Sequence, residues 1–214
     1  MIAVSPRRRK QRGNAMLESA ICFLPMMAMF FGIIDVCYAV SIQSLFAQAV
    51  RAASRWGITY QTTYDGATCT SEATCMAQVV VDNAVGFLGS DSSYITVNYY
   101  IPPNLSTPVM SCSGGTCTAS ATVTLPYTYT VTTYSGNTAS TTSVTINYAN
   151  QPGNIVEVQI PAYPILWMVP IHGFSAGSTV TNSAGKTGLG LTLSASATDV
   201  LGGLAVGTVI PPSP

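Results

Sequence analysis

Three groups of residues have types and spacing that could do chemistry. The first is Glu18, five positions after Gly13, where the basic run Arg7-Arg8-Arg9-Lys10-Gln11-Arg12 gives way to a long apolar stretch. A carboxylate at the mouth of a membrane-length segment is costly to leave unpaired, so it should find a cation or take a proton. The second group is Cys69, Cys75, Cys112 and Cys117. Neither short pair has the two-residue gap of a zinc knuckle, and the chain has one histidine, so disulfides fit better than a metal site. The local choice among the three pairings is Cys69–Cys75 with Cys112–Cys117, and such bonds imply an oxidising compartment. The third group is Gly173-Phe174-Ser175-Ala176-Gly177, which has the form of a nucleophile elbow. That elbow needs an Asp and then a His after the serine. The single histidine, His172, stands three residues before Ser175, so the match reads as chance in a Gly/Ser-rich chain. There is no phosphate loop, dinucleotide fingerprint or catalytic carboxylate pair. The expectation is a protein with no catalytic turnover, no cofactor and no metal.

The element that must position Glu18 is a helix. No charge occurs between Glu18 and Asp35, and none again until Arg51. Seventeen residues span about 26 Å at the helical rise, close to the ~30 Å hydrocarbon core of a bilayer. The two acids therefore belong near its two faces, with Asp35 an interfacial stop. Pro25 and Gly32 could bend such a helix, and membrane helices tolerate both. Cys22 and Cys37 lie in or beside it as small apolar fillers. Past Asp35 the pattern turns amphipathic, so a helix over about residues 15–56 is half anchor and half stalk. Arg51 and Arg55 share one face of the stalk at i, i+4 spacing.

Composition and charge agree. Only 7% of residues are charged, against about 25% in a typical soluble domain. Five of the eight Lys and Arg lie in residues 7–12, and residues 14–214 carry a formal −5. This asymmetry follows the positive-inside rule, with the start cytoplasmic and the remainder exported. The body has no basic patch, which excludes a nucleic-acid partner. A cleaved secretory signal fits poorly, because Ala47-Gln48-Ala49 lies too far downstream of the basic run. A lipoprotein anchor at Cys22 is disfavoured by bulky Ile21. A simple uncleaved signal anchor stays open as the rival reading.

Residues 13–55 resemble the TadE-like pseudopilins of tight-adherence (Flp) pilus systems. The resemblance rests on Gly13 with Glu18 five later, Pro25 in the apolar run, Gly32-Ile33-Ile34-Asp35, and Ala49-Val50-Arg51-Ala52-Ala53-Ser54-Arg55. The family usually places an aromatic after the glutamate, where Ser19 stands here. The resemblance implies a prepilin peptidase that cuts on the cytoplasmic side, between Gly13 and Asn14. A new α-amine on Asn14, with an ordinary pKa of about 7.7–8.0, would then lie one helical turn from Glu18. It also implies a type IVb-like pilus assembly system. Other pilins or pseudopilins, an inner-membrane assembly platform and the lipid bilayer would be the partners. Glu18 would set register against a neighbouring subunit's terminus. The alternative is an uncleaved, membrane-anchored periplasmic binding or adhesion module.

The rest reads as β-rich, giving an α+β chain: leader 1–13, transmembrane and stalk helix 14–57, disulfide-containing exported domain 58–198 and a loose tail 199–214. Met76–Leu88 has the spacing of a short helix. Strand patterns occur at Tyr94–Ile101, Thr118–Val131, Ser143–Tyr148, Ile155–Ile160 and Gly188–Thr198. Ser143–Tyr148 and Ile155–Ile160 flank a turn signal at Asn150–Asn154 and read as a hairpin, and Thr132–Thr142 reads as a loop. The apolar, proline-broken segment Val158–Phe174, which includes Trp167, reads as closing the core, with a membrane-facing or partner-binding loop as the alternative. An antiparallel sheet against the stalk and short helix, as in pilin-like proteins, is the expected fold.

Overall fold

A computed structural model describes residues 8–61, 63–89, 92–102, 104–135, 138–166, 178–181 and 187–202. Among the described residues there are two α-helices, α1 (Arg8–Gly57) and α2 (Glu72–Asn83), and ten strands. The strands are β1 (Thr63–Tyr64), β2 (Ala67–Thr68), β3 (Thr96–Tyr100), β4 (Met110–Ser113) and β5 (Thr116–Ala119), followed by β6 (Tyr127–Ser135), β7 (Thr138–Ile146), β8 (Ile155–Leu166), β9 (Ser178–Thr181) and β10 (Thr187–Val200). A long apolar helix followed by antiparallel sheet makes the chain α+β. Six strands form one sheet in the order β5-β4-β3-β8-β10-β9, while β1–β2 and β6–β7 are separate two-stranded sheets. The chain divides into two units, one of residues 1–41 and 164–191, the other of 42–163 and 192–214.

The 50 residues of α1 extend about 75 Å. The helix starts inside the expected leader, because Arg, Lys, Gln, Ala, Met and Leu all favour helix. Gly13 costs only about 1 kcal/mol, too little to stop such a run. Pro25 lies within the helix without ending it.

In the first unit, Asp35, Tyr38 and Ala39 gather with Ile165, Leu166 and Leu191 around a small cleft, and β9 pairs with Thr187–Gly190 of β10. The strand β8 runs through Pro161 and Pro164 to Leu166. Trp167, His172 and Ser175 lie outside the described residues.

The core of the second unit is built on alternation. In β3 and β8, Val97 faces Val158 and Tyr99 faces Val156, and all four are buried, as is Ile160. Ile42, Phe46, Ala49, Val50 and Ala53 of α1 are buried at three- and four-residue spacing. The ring of Phe46 meets the ring of Tyr163 edge-on at 5.0 Å. Tyr163 also packs against Tyr94 at 5.4 Å and donates its hydroxyl to the Phe87 carbonyl at 2.6 Å.

Ser71 caps α2 by accepting from the Thr74 N–H at 3.2 Å. Such a cap is worth about 1 kcal/mol. It starts the helix earlier than the apolar spacing alone indicates. At the other end Val85 and Gly86 have φ of 50° and 80°, which ends α2 before Phe87 and Leu88. Disulfides close Cys69–Cys75 and Cys112–Cys117. The second joins paired positions of β4 and β5 at the base of the Gly114-Gly115 turn.

Three expectations are corrected. The segment Thr132–Thr142 is not a loop, since most of it lies in the β6–β7 ribbon, with pairs running from Tyr127↔Ile146 to Ser135↔Thr138. The strands either side of Asn150–Asn154 are not a hairpin either, because β7 pairs with β6 while β8 pairs with β3. The turn itself is present: the Asn154 N–H donates to the Gln151 carbonyl at 3.1 Å, and Gly153 has φ of 92°. The expected tail begins too early. Asp199 and Val200 belong to β10, and buried Leu201 exchanges backbone hydrogen bonds with Gly153 and Asn154. Residues 203–214 lie outside the described residues.

Candidate membrane anchor and polar centres

The half of α1 that carries the candidate site residues presents its apolar side chains outward. Met16, Leu17, Ile21, Phe23, Leu24 and Met26 are all more than half exposed, and the pattern continues to Val40. Residues Met16–Gly57 pass as a candidate span. The best 18-residue window has a mean hydropathy of 2.1 and is only 6% buried. A core helix of a water-soluble domain of this hydropathy would bury most of that surface. It is the one helix among the described residues long and apolar enough to cross a membrane.

Glu18 is exposed on this helix, and the neighbouring Ser19 hydroxyl folds back onto the Met16 carbonyl at 2.9 Å. Gly13 and Asn14 lie within α1, so the peptide bond between them is helical. Pro25 is exposed, and a Cβ added at Gly32 would meet no heavy atom within 4 Å. Gly32 therefore leaves the helix surface open to a closely approaching neighbour. Asp35 is 5% exposed, within the first unit's cleft. Cys22 and Cys37 are free and exposed, and the Ser41 hydroxyl donates to the Cys37 carbonyl at 2.8 Å. Arg51 and Arg55 are exposed, one turn apart.

Two polar centres in the second unit escape sequence reading. Glu72, the first residue of α2, is fully buried. Its Oε2 accepts from Asn150 Nδ2 at 2.8 Å, while Oε1 is buried with no hydrogen-bond partner among the described residues. The hydroxyls of Tyr60 and Tyr99 are likewise buried without a partner there, and both rings lie within electrostatic reach of Glu72. Burial pushes the Glu72 carboxyl up to about 7, against the opposing pull of Asn150. Burial, and then the Glu72 charge, raise both tyrosine hydroxyls. An acid just after a serine reads in sequence as a solvated helix start, and nothing local signals its burial.

The other centre is on the opposite face of the sheet. Glu157 Oε2 accepts from Tyr100 at 2.8 Å and from Asn98 at 3.3 Å, two positions on the adjacent strand. Burial and then this contact push the Tyr100 hydroxyl up to about 12. Neither centre brings together a nucleophile and a base. Among the described residues no group of three or more His, Cys, Asp and Glu could hold a metal ion.

Residues 13–55, about a fifth of the chain, match the family model described as TadE-like protein. The match covers the segment that contains Gly13, Glu18, Pro25, Gly32 and Asp35 and ends at Arg55. No curated protein and no solved structure matches the chain.

Proposed function

We propose, taking the TadE-like match over residues 13–55 as premise, that the chain is a minor pilin-like structural protein of a tight-adherence pilus assembly system. The observation that carries this reading is the outward apolar surface of Met16–Val40, which begins beside Glu18 and falls within the matched segment. A bilayer or the helices of neighbouring subunits would cover that surface. The amino terminus stays in the cytoplasm, held by the basic run, and the β-rich domain stands in the periplasm, where its two disulfides persist. A prepilin peptidase removes the leader after Gly13, and Glu18 then pairs with the Asn14 α-amine of an adjacent subunit. The bonds between pilins and the inner-membrane platform are made through α1, and the protein assembles rather than catalyses.

The test is the amino-terminal residue of membrane-extracted protein, by intact mass and terminal peptide mapping, with and without a co-expressed prepilin peptidase. An Asn14 terminus that depends on the peptidase supports the reading. A terminus at Met1 in both samples sinks the processing step and leaves a permanently anchored periplasmic module.

A further inference from the structure

The β6–β7 ribbon is regular over nine paired positions, and among the described residues its two strands pair only with each other. Alternate residues of each strand in an antiparallel pair turn their N–H and C=O groups away from the partner, and among the described residues no other strand pairs with either outer edge of the ribbon. Natural proteins guard such edges with charges, proline or bulges. Neither strand has any of these, and the sequence from Ser92 to Val156 contains no Asp, Glu, Lys or Arg at all. A two-stranded ribbon alone is marginally stable in water, and further strands help where they extend a shared apolar face.

We infer that the β6 edge docks on the β6 edge of a second copy of this chain, forming a four-stranded sheet. The choice of occupant comes from self-complementarity. Antiparallel pairing about Val131 sets Thr130 against Thr132 of the second copy and Thr128 against Tyr134. Paired positions then keep the same parity, so each face of one ribbon continues onto the same face of the other. On one face the row Thr128, Thr130, Thr132 already lies across from Thr145, Ser143 and Thr141, with the Thr128 and Thr145 hydroxyls 3.1 Å apart. The second copy extends that hydroxyl row without placing like charges together, and a charged partner would find nothing to select it. β6 is the better edge because Tyr, Thr and Val favour strands more than the Ala and Ser of β7. The pairing relies on the anchor reading only to raise the local concentration of copies.

The experiment uses the full chain in membranes with Cys22→Ala and Cys37→Ala, a single Thr130→Cys, and a short thiol-specific bismaleimide. A covalent homodimer is expected at ten-fold or greater yield than from Ser143→Cys. The two copies of that residue would stand roughly 14 Å apart across three strand spacings. Adding Thr128→Lys to Thr130→Cys should cut the dimer at least ten-fold, with retention of both native disulfides by non-reducing peptide mapping showing that the domain folds. Monomer alone, equal yields from the two cysteines, or adducts only with a different protein each overturn the pairing. The fraction that holds the chain after alkaline extraction separately judges the anchor, and the cross-link decides the pairing whichever fraction that is.

Discussion

Asn150 Nδ2 lies 2.8 Å from Glu72 Oε2, a hydrogen bond across 78 residues of sequence that ties the first turn of α2 to the turn ahead of β8. The partner of this bond is a fully buried carboxyl whose pKa is raised from 4.5 to about 7, mainly by burial. A raised folded pKa means that the folded state binds the proton more tightly than the unfolded chain. The resulting stabilisation is complete below about 4.5 and is lost as pH rises through about 7. The shift corresponds to about 3 kcal/mol between those limits. Detergent-solubilised wild type should therefore melt higher at pH 5 than at pH 8. Glu72→Gln, which can still accept from Asn150, should flatten that dependence and melt above wild type at pH 8. Equal pH dependence in the two proteins would remove Glu72 as its source.

Leu24→Arg separates a membrane helix from a merely exposed one. Leu24 is 70% exposed and near the middle of the interval between Glu18 and Asp35. In water, a charge at so exposed a position would change stability by less than about 0.5 kcal/mol. At the centre of a spanning helix it costs about 2.5–3.5 kcal/mol. The expected outcome is a marked fall in the alkali-resistant membrane fraction, read by sedimentation and immunoblot, with Leu24→Ala close to wild type.

Phe46→Ala should destabilise the second unit by about 3–5 kcal/mol, because the ring is fully buried against Tyr163 and its removal leaves a cavity. Val40→Ala, at a site 59% exposed, serves as the comparison and should change stability by less than about 0.5 kcal/mol. Denaturant unfolding of the two variants measures the difference.

Gly153→Ala should cost about 1–2 kcal/mol. No heavy atom lies within 4 Å of the added Cβ, so the cost comes from the backbone φ of 92° alone. Gly153→Asn, whose side chain tolerates positive φ better, should lose less. The same thermal melts rank the two, and an alanine variant as stable as wild type would show that the turn relaxes freely.

The legible parts of the chain were those decided by near neighbours in sequence. The anchor announces itself through the uninterrupted apolar run from Ser19 to Ile34, and the ends of each disulfide are only six and five residues apart. Alternation marked β3, β8 and β10. What stayed hidden was the choice of partner. Ser143–Tyr148 and Ile155–Ile160 look joined by their turn, yet β8 pairs with Thr96–Tyr100 from far upstream. The Thr/Ser run through Thr132–Thr142 has so little hydrophobic contrast that it reads as loop, although threonine fits a pleated strand well. Burial of Glu72 depends on Tyr99 and Asn150 arriving from distant segments, which no local pattern encodes. The enclosure of Asp35 likewise comes from Ile165, Leu166 and Leu191, far from it in sequence.

The absence of acidic and basic side chains from Ser92 to Val156 has an environmental meaning. If the domain is exported, as proposed, its surface meets salinity and acidity that the cell does not regulate. The β6–β7 ribbon offers no counterion to displace and no group that titrates between mild acid and mild base. Its net charge therefore stays at zero in fresh water, brine or an acidified film. The raised pKa of Glu72 belongs to a buried carboxyl at the start of α2, not to the ribbon's neutral strands.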